Sequence, residues 1–179
     1  SPLRTVAPQA TVEWMSGNHD ERITDYISKY GYPLKALSAL SMDNLFELNK
    51  FNISYVKGPH RIASNVYALH GHECGGYTST LNLWDQKFQK RYGSQFSYVF
   101  GHTHQPGIIS RASGWGGDVT PRFTMNVGSI MDPTQVTYVK DGSVNWTMSF
   151  AWIEDDGKRT WPELVLMYDK MFRFKGERY

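Results

Sequence analysis

The sequence predicts an α/β fold, with strands and helices alternating in its first half and antiparallel strands following one another in its second half. Two stretches, at residues 20–30 and 78–92, carry apolar side chains at helical spacing and end at Gly31 and Gly93. Short apolar runs typical of strands lie around them, at Thr11–Met15, Ile53–Val56, Asn65–Leu69 and Tyr98–Phe100. Beyond Pro106 only strand-like runs occur, which favours antiparallel pairing there.

Local signals justify each element in turn. Negative charge stabilises a helix N-terminus, so Asp20 and Glu21 suit the start of the first helix. Ser41 or Asp43 suits the cap of a short second helix, and Gly58-Pro59 suits a turn after the second strand. The later strands are expected at Gly107–Arg111, Arg122–Val127, Gln135–Lys140, Val144–Trp152, Leu164–Tyr168 and Phe172–Phe174, with a hairpin turn at Asp155–Gly157.

Length and composition favour one globular domain over residues 1–179. We expect a linker or truncated loop over residues 1–10, the α/β part over 11–106 and mainly antiparallel strands over 107–179. The net charge of +2 is too small to indicate a nucleic-acid or membrane partner, and no apolar run is long enough to span a bilayer. The single cysteine, Cys74, excludes an internal disulfide and is expected to be a packed thiol in a cytoplasmic protein.

Five of the six histidines fall in three clusters, each directly after a strand-like run. The clusters are Ser16–Asp20, His70–Glu73 and Gly101–His104. Ligands of open α/β sheets bind outside the carboxyl ends of the strands, so we expect the three clusters to form the walls of one site. Neutral imidazole is the commonest transition-metal ligand, and two rings spaced i, i+2 on extended chain project from the same side. The clusters therefore predict a metal site.

Other polar residues have weaker claims to a role in this site. For His72, a position beside the metal ligands or facing the substrate is no better supported than the absence of a role. His60 is expected in a surface turn. Glu73 and Asp118 are expected in solvated loops. Asp20 also suits the cap of a helix N-terminus, a position that is compatible with a role in the site.

Three motifs in the chain resemble those of a known superfamily. Gly17-Asn-His-Asp20, His70-Gly71 and Gly101-His-Thr-His104, in this order, resemble the last three motifs of the calcineurin-like metallophosphoesterases. Asn126–Ser129 resembles a segment that often follows them, and the chain from Trp146 onward resembles a tail found in phage and bacterial members. The resemblance implies a two-sheet sandwich flanked by helices, incomplete at its N-terminus. It also implies hydrolysis of a phosphomonoester or phosphodiester by metal-activated water.

The resemblance also implies a role for each motif residue. It assigns metal binding to four side chains: Asn18, His70 and His102 on one ion and His104 on a second. His19 would act as a general acid or transition-state stabiliser, and Asp20 would hydrogen-bond its ring. Two divalent ions are implied, with Mn²⁺ expected first and Fe, Zn or Ni as alternatives. The partner is a phosphoester, either a small molecule or nucleic acid; the sequence names no substrate-binding residue.

The family pattern is incomplete in this chain. No Asp precedes Asp20 and no His precedes His19, so the upstream Asp-x-His and Gly-Asp-x-x-Asp motifs are absent. Three explanations stay open: the chain is a fragment of a longer enzyme, a second chain completes the site, or the domain is a non-catalytic binding or scaffold module. We prefer the first because the remaining half of the site is intact, and this chain alone would then be inactive.

Overall fold

The computed structural model describes residues 5, 7–74, 80–132, 135 and 146–179. Contacts within the chain divide it into two compact units, Ser1–Gly58 and Pro59–Tyr179; that the whole chain is one domain stays a prediction. The predicted mixture of helices and strands is confirmed, and the strands form three sheets. None of the helices in the described ranges is both long and apolar enough to cross a membrane.

The first unit contains a two-stranded parallel sheet. β1 (Val12–Met15) pairs with β2 (Ile53–Val56), and the helix α1 (Asn18–Tyr30) follows β1 directly. The chain then passes through the 3₁₀ turns Tyr32–Ala36 and Ser38–Leu40, the short helix α2 (Met42–Leu45) and the 3₁₀ turn Leu48–Phe51. Ser41 caps α2 as predicted, since its Oγ accepts a hydrogen bond from the Asn44 N–H at 3.4 Å.

No residue of the apolar stripe that predicts α1 is buried. Tyr26 and Tyr30 are 67% and 66% exposed, and their ring centroids lie 4.9 Å apart on the helix surface. Among the described residues of this unit, the buried apolar side chains are Met42 and Leu48 instead. The helical spacing therefore located α1 correctly but did not mark a buried face.

The second unit contains a five-stranded mixed sheet. Its strands are β3 (His60–Ala63), β4 (Val66–Ala68), β5 (Ser97–Phe100), β6 (Gly107–Trp115) and β7 (Asp118–Asn126). The order across the sheet is β3-β4-β5-β7-β6, with β4, β5 and β7 parallel and the two outer strands antiparallel to their neighbours. The carboxyl ends of β4, β5 and β7 therefore lie along one edge of the sheet.

A helix covers one face of this sheet. α3 (Leu81–Tyr92) begins after Thr80, whose Oγ1 accepts from the Leu83 N–H at 3.3 Å. Trp84 and Phe88 of α3 form a buried cluster with Tyr98 and Phe100 of β5. All four residues of β5 are buried, which is typical of a strand covered on both faces.

A second sheet covers the opposite face. It contains β8 (Ser149–Asp155), β9 (Thr160–Tyr168), β10 (Met171–Phe174) and β11 (Glu177–Arg178), each antiparallel to its neighbour. Side chains of β8 and β9 pack on Val66, Val99, Phe123 and Met125 of the five-stranded sheet. The strands after Pro106 pair antiparallel with one another, as expected, while β7 also pairs parallel with β5. Residues 136–140 of the strand expected at Gln135–Lys140, residues 144 and 145 of the strand expected from Val144, and residues 1–4 and 6 of the expected linker lie outside the described residues.

Two segments of the second unit differ from the sequence prediction. His60, which we expected in a surface turn, begins β3 and pairs with Ala68 of β4, so that prediction is wrong. The strands predicted to end at Arg111 and to begin at Arg122 instead continue to the two-residue turn Gly116-Gly117 and form one long hairpin. Positive φ angles of 67° and 109° at these glycines suit a tight hairpin turn.

Candidate functional site

His70 and His102 lie side by side beyond the carboxyl ends of β4 and β5. The backbone joins the two loops, because the N–H groups of Gly101 and His102 donate to the His70 carbonyl at 3.3 and 3.0 Å. The Leu69 N–H donates to the Val99 carbonyl at 3.0 Å and continues the ladder between the strands. The parallel pairing of β4 and β5 thus brings together two of the three predicted histidine clusters.

The two imidazole rings of this pair are in direct contact, and we call them the histidine pair. His102 Nδ1 lies 3.2 Å from His70 Nε2, and the ring centroids are 5.0 Å apart. Without a ligand, one of the two nitrogens carries a hydrogen and the other accepts a hydrogen bond from it, so a single N–H···N hydrogen bond joins the rings. With both nitrogens unprotonated, their lone pairs are available to the same small cation.

Gly71 permits this contact between the histidine loops. Its φ of +115° is a conformation that residues with a side chain rarely adopt. A Cβ at this position would lie 3.0 Å from both His102 Cβ and Phe100 Cδ2. The motif glycine is therefore needed for its backbone angle and for the space it leaves to His102.

The residues after Gly71 form a 3₁₀ turn, His72–Cys74, that supports the first histidine loop. Glu73 Oε2 accepts from the Gly71 N–H at 2.7 Å and lies 3.7 Å from His72 Nδ1. The Glu73 side chain is only 16% exposed and is bonded to the backbone, so the expectation of a solvated carboxylate is wrong. Cys74 is packed against the buried cluster as predicted, and burial raises the pKa of its thiol.

The ring of His72 lies close to the histidine pair. Its centroid is 5.2 Å from that of His70 and 6.3 Å from that of His102. The structure therefore favours a position beside the predicted ligands over a distant surface role.

The Gly101–His104 segment is a turn, so the expectation of extended chain there is wrong. The His104 N–H donates to the Gly101 carbonyl at 3.1 Å, and His104 has a φ of +57°. This turn removes the period-two geometry that would project both rings from one side of a strand. The His104 ring instead meets Trp146 edge to face, with centroids 4.7 Å apart.

Asn126 connects this turn to the loop that follows β7. Its Nδ2 donates to Thr103 Oγ1 at 2.5 Å, and its Oδ1 accepts from the Gly128 N–H at 3.0 Å. Asn126 and Thr103 are both buried. The Asn126–Ser129 segment, noted in the sequence only as a resemblance, therefore positions the histidine-bearing turn.

A cavity of about 640 Å³ opens beside the His104 turn. Trp146, which contacts the His104 ring, lines it together with Asp132, Met148 and Lys170. Trp146 was not predicted as a site residue, because no local sequence pattern connects it to a turn about forty residues earlier.

The third predicted cluster forms the start of α1 in the first unit. Asn18 is the first residue of the helix, and His19 beside it is exposed. Asp20 Oδ2 accepts from the Gly17 N–H at 2.9 Å and from Trp14 Nε1 at 3.3 Å. Gly17, not Asp20, is the N-cap of α1, and Asp20 stabilises the helix start from the third helical position by accepting the Gly17 N–H. The expected hydrogen bond to His19 is absent from the described unit, because Gly17 and Trp14 hold the carboxylate.

The donor set fits a metal only in part. In the described ranges, no three His, Cys, Asp or Glu side chains converge closely enough to hold one ion. The expected ligands of the first ion are His70, His102 and Asn18. Only the two histidines are of these four residue types, since Asn18 would bind through its amide oxygen. The contact between these two histidines is the part of the set that the structure brings together.

Comparison with known proteins gives two phage relatives. The chain is 31% identical to the Gene 54 protein of Mycobacterium phage L5 over 176 residues, which cover 98% of this chain and 68% of that protein. It is 30% identical to the Gene 54 protein of Mycobacterium phage D29 over 179 residues, which cover 98% and 69% respectively. No protein-family profile and no solved structure matches the chain.

Proposed function

We propose that this chain, which belongs to the family of the mycobacteriophage Gene 54 proteins, carries part of the metal centre of a phosphoesterase at the carboxyl edge of β4 and β5. The metallophosphoesterase fold and the two-ion centre are part of the same proposal. Its support is the order of the three sequence motifs together with the contact between His70 and His102.

The observation that carries the proposal is the 3.2 Å between His102 Nδ1 and His70 Nε2. Metal–nitrogen bonds of about 2.0–2.1 Å at angles of about 90–110° place two ligand nitrogens about 2.8–3.4 Å apart. The observed distance lies within that range. The pair is therefore already spaced to bind one ion. Binding requires the donating ring to carry its proton on its other nitrogen, so that both facing nitrogens present lone pairs to the ion.

The chain's own residues then hold and orient this pair. Glu73 fixes the Gly71 N–H, and Asn126 fixes the turn that carries His102, so both rings are supported from the backbone. A bound divalent ion would activate water and neutralise charge on a phosphoryl oxygen. The roles of Asn18, His19 and His104 stay as the resemblance implies.

Metal binding tests the site. We expect Mn²⁺ titrated into the full chain to bind at the histidine pair, and His70→Ala or His102→Ala to weaken binding at least about tenfold. His60→Ala, on an outer strand, is the matched control and should leave binding unchanged. Affinity should fall in mildly acidic buffer, because only unprotonated imidazole binds metal. Equal Mn²⁺ affinity in the wild type and both site variants, measured by calorimetry, would refute the proposal.

Hydrolysis separates the enzyme from the non-catalytic binding module. Under the phosphoesterase proposal, the full-length gene product hydrolyses bis(4-nitrophenyl) phosphate or 4-nitrophenyl phosphate with Mn²⁺, and His102→Ala abolishes turnover. Metal binding without turnover of either ester would favour the binding module. The two esters also distinguish diesterase from monoesterase activity.

A further inference from the structure

A second cavity in the Pro59–Tyr179 unit lies away from the histidine pair. It has a volume of about 300 Å³, and its wall includes residues of the β6–β7 hairpin and of the turn between β8 and β9. Asn65, which precedes β4, and Arg122 in β7 both line it. Arg122 precedes Asn126 by four residues, or about 13 Å along a strand. The cavity therefore lies toward the opposite end of these strands from the carboxyl edge that carries the histidine pair.

Four cationic side chains line this cavity: Arg111, Arg122, Lys158 and Arg159. Asp85 forms ion pairs with the two strand arginines, Arg111 and Arg122. Asp156 accepts hydrogen bonds from the backbone N–H groups of Lys158 and Arg159, at 2.8 and 2.7 Å, but not from their side chains. Lys158 and Arg159 make no ion pair with any described residue. The cations thus outnumber the carboxylates bonded to them, and the cavity is positive.

Arg122 is held rigidly at the wall of the cavity. It is 5% exposed, and its Nη1 donates to Asp85 Oδ1 at 2.8 Å. The same oxygen accepts from Thr124 Oγ1 at 2.7 Å, so the carboxylate is fixed in turn. The buried Arg122 Nε–H has no acceptor among the described residues. A buried N–H without an acceptor is unfavourable, so an anionic oxygen that came within reach of this nitrogen would be bound favourably.

The rest of the wall contributes neutral hydrogen-bonding groups and one aromatic surface. Ser110, Thr120 and Thr160 supply hydroxyl groups, and the Thr160 hydroxyl donates to Asn65 Oδ1 at 3.4 Å. Trp161, which is 49% exposed, lines the same cavity. Cations with hydroxyl groups match phosphate oxygens, and an exposed indole is suited to stack on a base.

We propose that this cavity binds the phosphate groups of a small ligand such as a nucleotide. Guanidinium groups recognise phosphate through paired hydrogen bonds, and Arg122 is fixed in place before the ligand arrives. Arg111, Lys158 and Arg159 add positive charge at a more exposed part of the wall. The proposal does not depend on the histidine pair or on a metal.

Pyrophosphate binding in the presence of EDTA tests the proposal. We expect the full chain to bind pyrophosphate in calorimetry at about 0.1 M salt, and the double variant Lys158→Gln, Arg159→Gln to bind at least about tenfold more weakly. The double variant Lys57→Gln, Lys90→Gln removes the same charge from exposed positions and is the control. Circular dichroism should show that both double variants are folded.

Two outcomes would overturn the proposal: an unchanged affinity in the Lys158, Arg159 variant, or an equal loss in the control pair. His102→Ala should bind pyrophosphate like the wild type, so failure here and failure of the metal centre are distinguishable. A nucleoside diphosphate serves as a second probe. Tighter binding than pyrophosphate, with the gain lost in Trp161→Ala, would identify a nucleotide; equal binding would identify the phosphate groups alone.

Discussion

Replacing Gly71 with alanine tests whether the approach of the histidine loops depends on the absence of a side chain. The variant has two sources of destabilisation. The first is backbone strain at a φ of +115°, which costs about 1–3 kcal/mol. The second is the added methyl group, 3.0 Å from His102 Cβ and Phe100 Cδ2, and overpacking of this kind costs about 1–3 kcal/mol.

A matched control separates these two contributions. Gly117 has a φ of +109°, but a Cβ there would meet nothing within 4 Å, so Gly117→Ala carries the strain without the contact. We expect Gly71→Ala to lower the free energy of unfolding, measured in urea with EDTA, by about 1–3 kcal/mol more than Gly117→Ala. We also expect Mn²⁺ affinity to fall in Gly71→Ala alone, because the methyl group displaces His102 from His70. Equal destabilisation by the two variants, with unchanged Mn²⁺ affinity, would refute this account of Gly71.

Two further predictions concern buried titratable groups. Burial alone would raise the pKa of Asp85, but hydrogen bonds from Arg122 and Thr124 and the arginine charges outweigh it and lower the pKa. The carboxylate therefore stabilises the fold at pH values above its ordinary pKa, and this stabilisation is lost as the pH falls through the lower pKa of the folded state. At neutral pH, Asp85→Asn should lower the free energy of unfolding in urea by about 3–5 kcal/mol. A loss below about 1 kcal/mol would contradict this prediction. Burial raises the pKa of Tyr98 to about 12, so the unfolded chain ionises first and stability should fall by about 2–3 kcal/mol between about pH 10 and pH 12. Tyr98→Phe should lack this alkaline loss in the same assay, and an identical pH profile in the variant would assign the loss to other groups.

Local patterns were enough to predict most of the fold. The apolar run Ile53–Val56 is β2, and the buried run before Gly101 is β5, because short β-branched and aromatic stretches bounded by turn residues have few alternatives. The β3 strand was missed because His60 is in a strand only through its pairing with Ala68. That pairing depends on the tertiary position of β4, which propensity does not contain.

The placement of the candidate site residues was only partly predictable from the sequence. Strand ends brought His70 and His102 together as expected, because parallel neighbours end at the same edge. The turn at His104 was not predictable, since a positive φ in a residue other than glycine is uncommon. The support from Glu73 was also missed, because its bond to the Gly71 N–H exists only once the loop is formed.

The strands that lead into the two histidine loops are interior strands of the five-stranded sheet. β4 is paired with β3 and β5, and β5 is paired with β4 and β7, so each has a neighbour on both sides. The conformational entropy of these backbone segments is therefore already lost when the protein folds. An ion or substrate that meets the two rings does not have to order the chain that presents them. More of the interaction free energy then appears as affinity, as in any receptor whose binding groups are fixed beforehand.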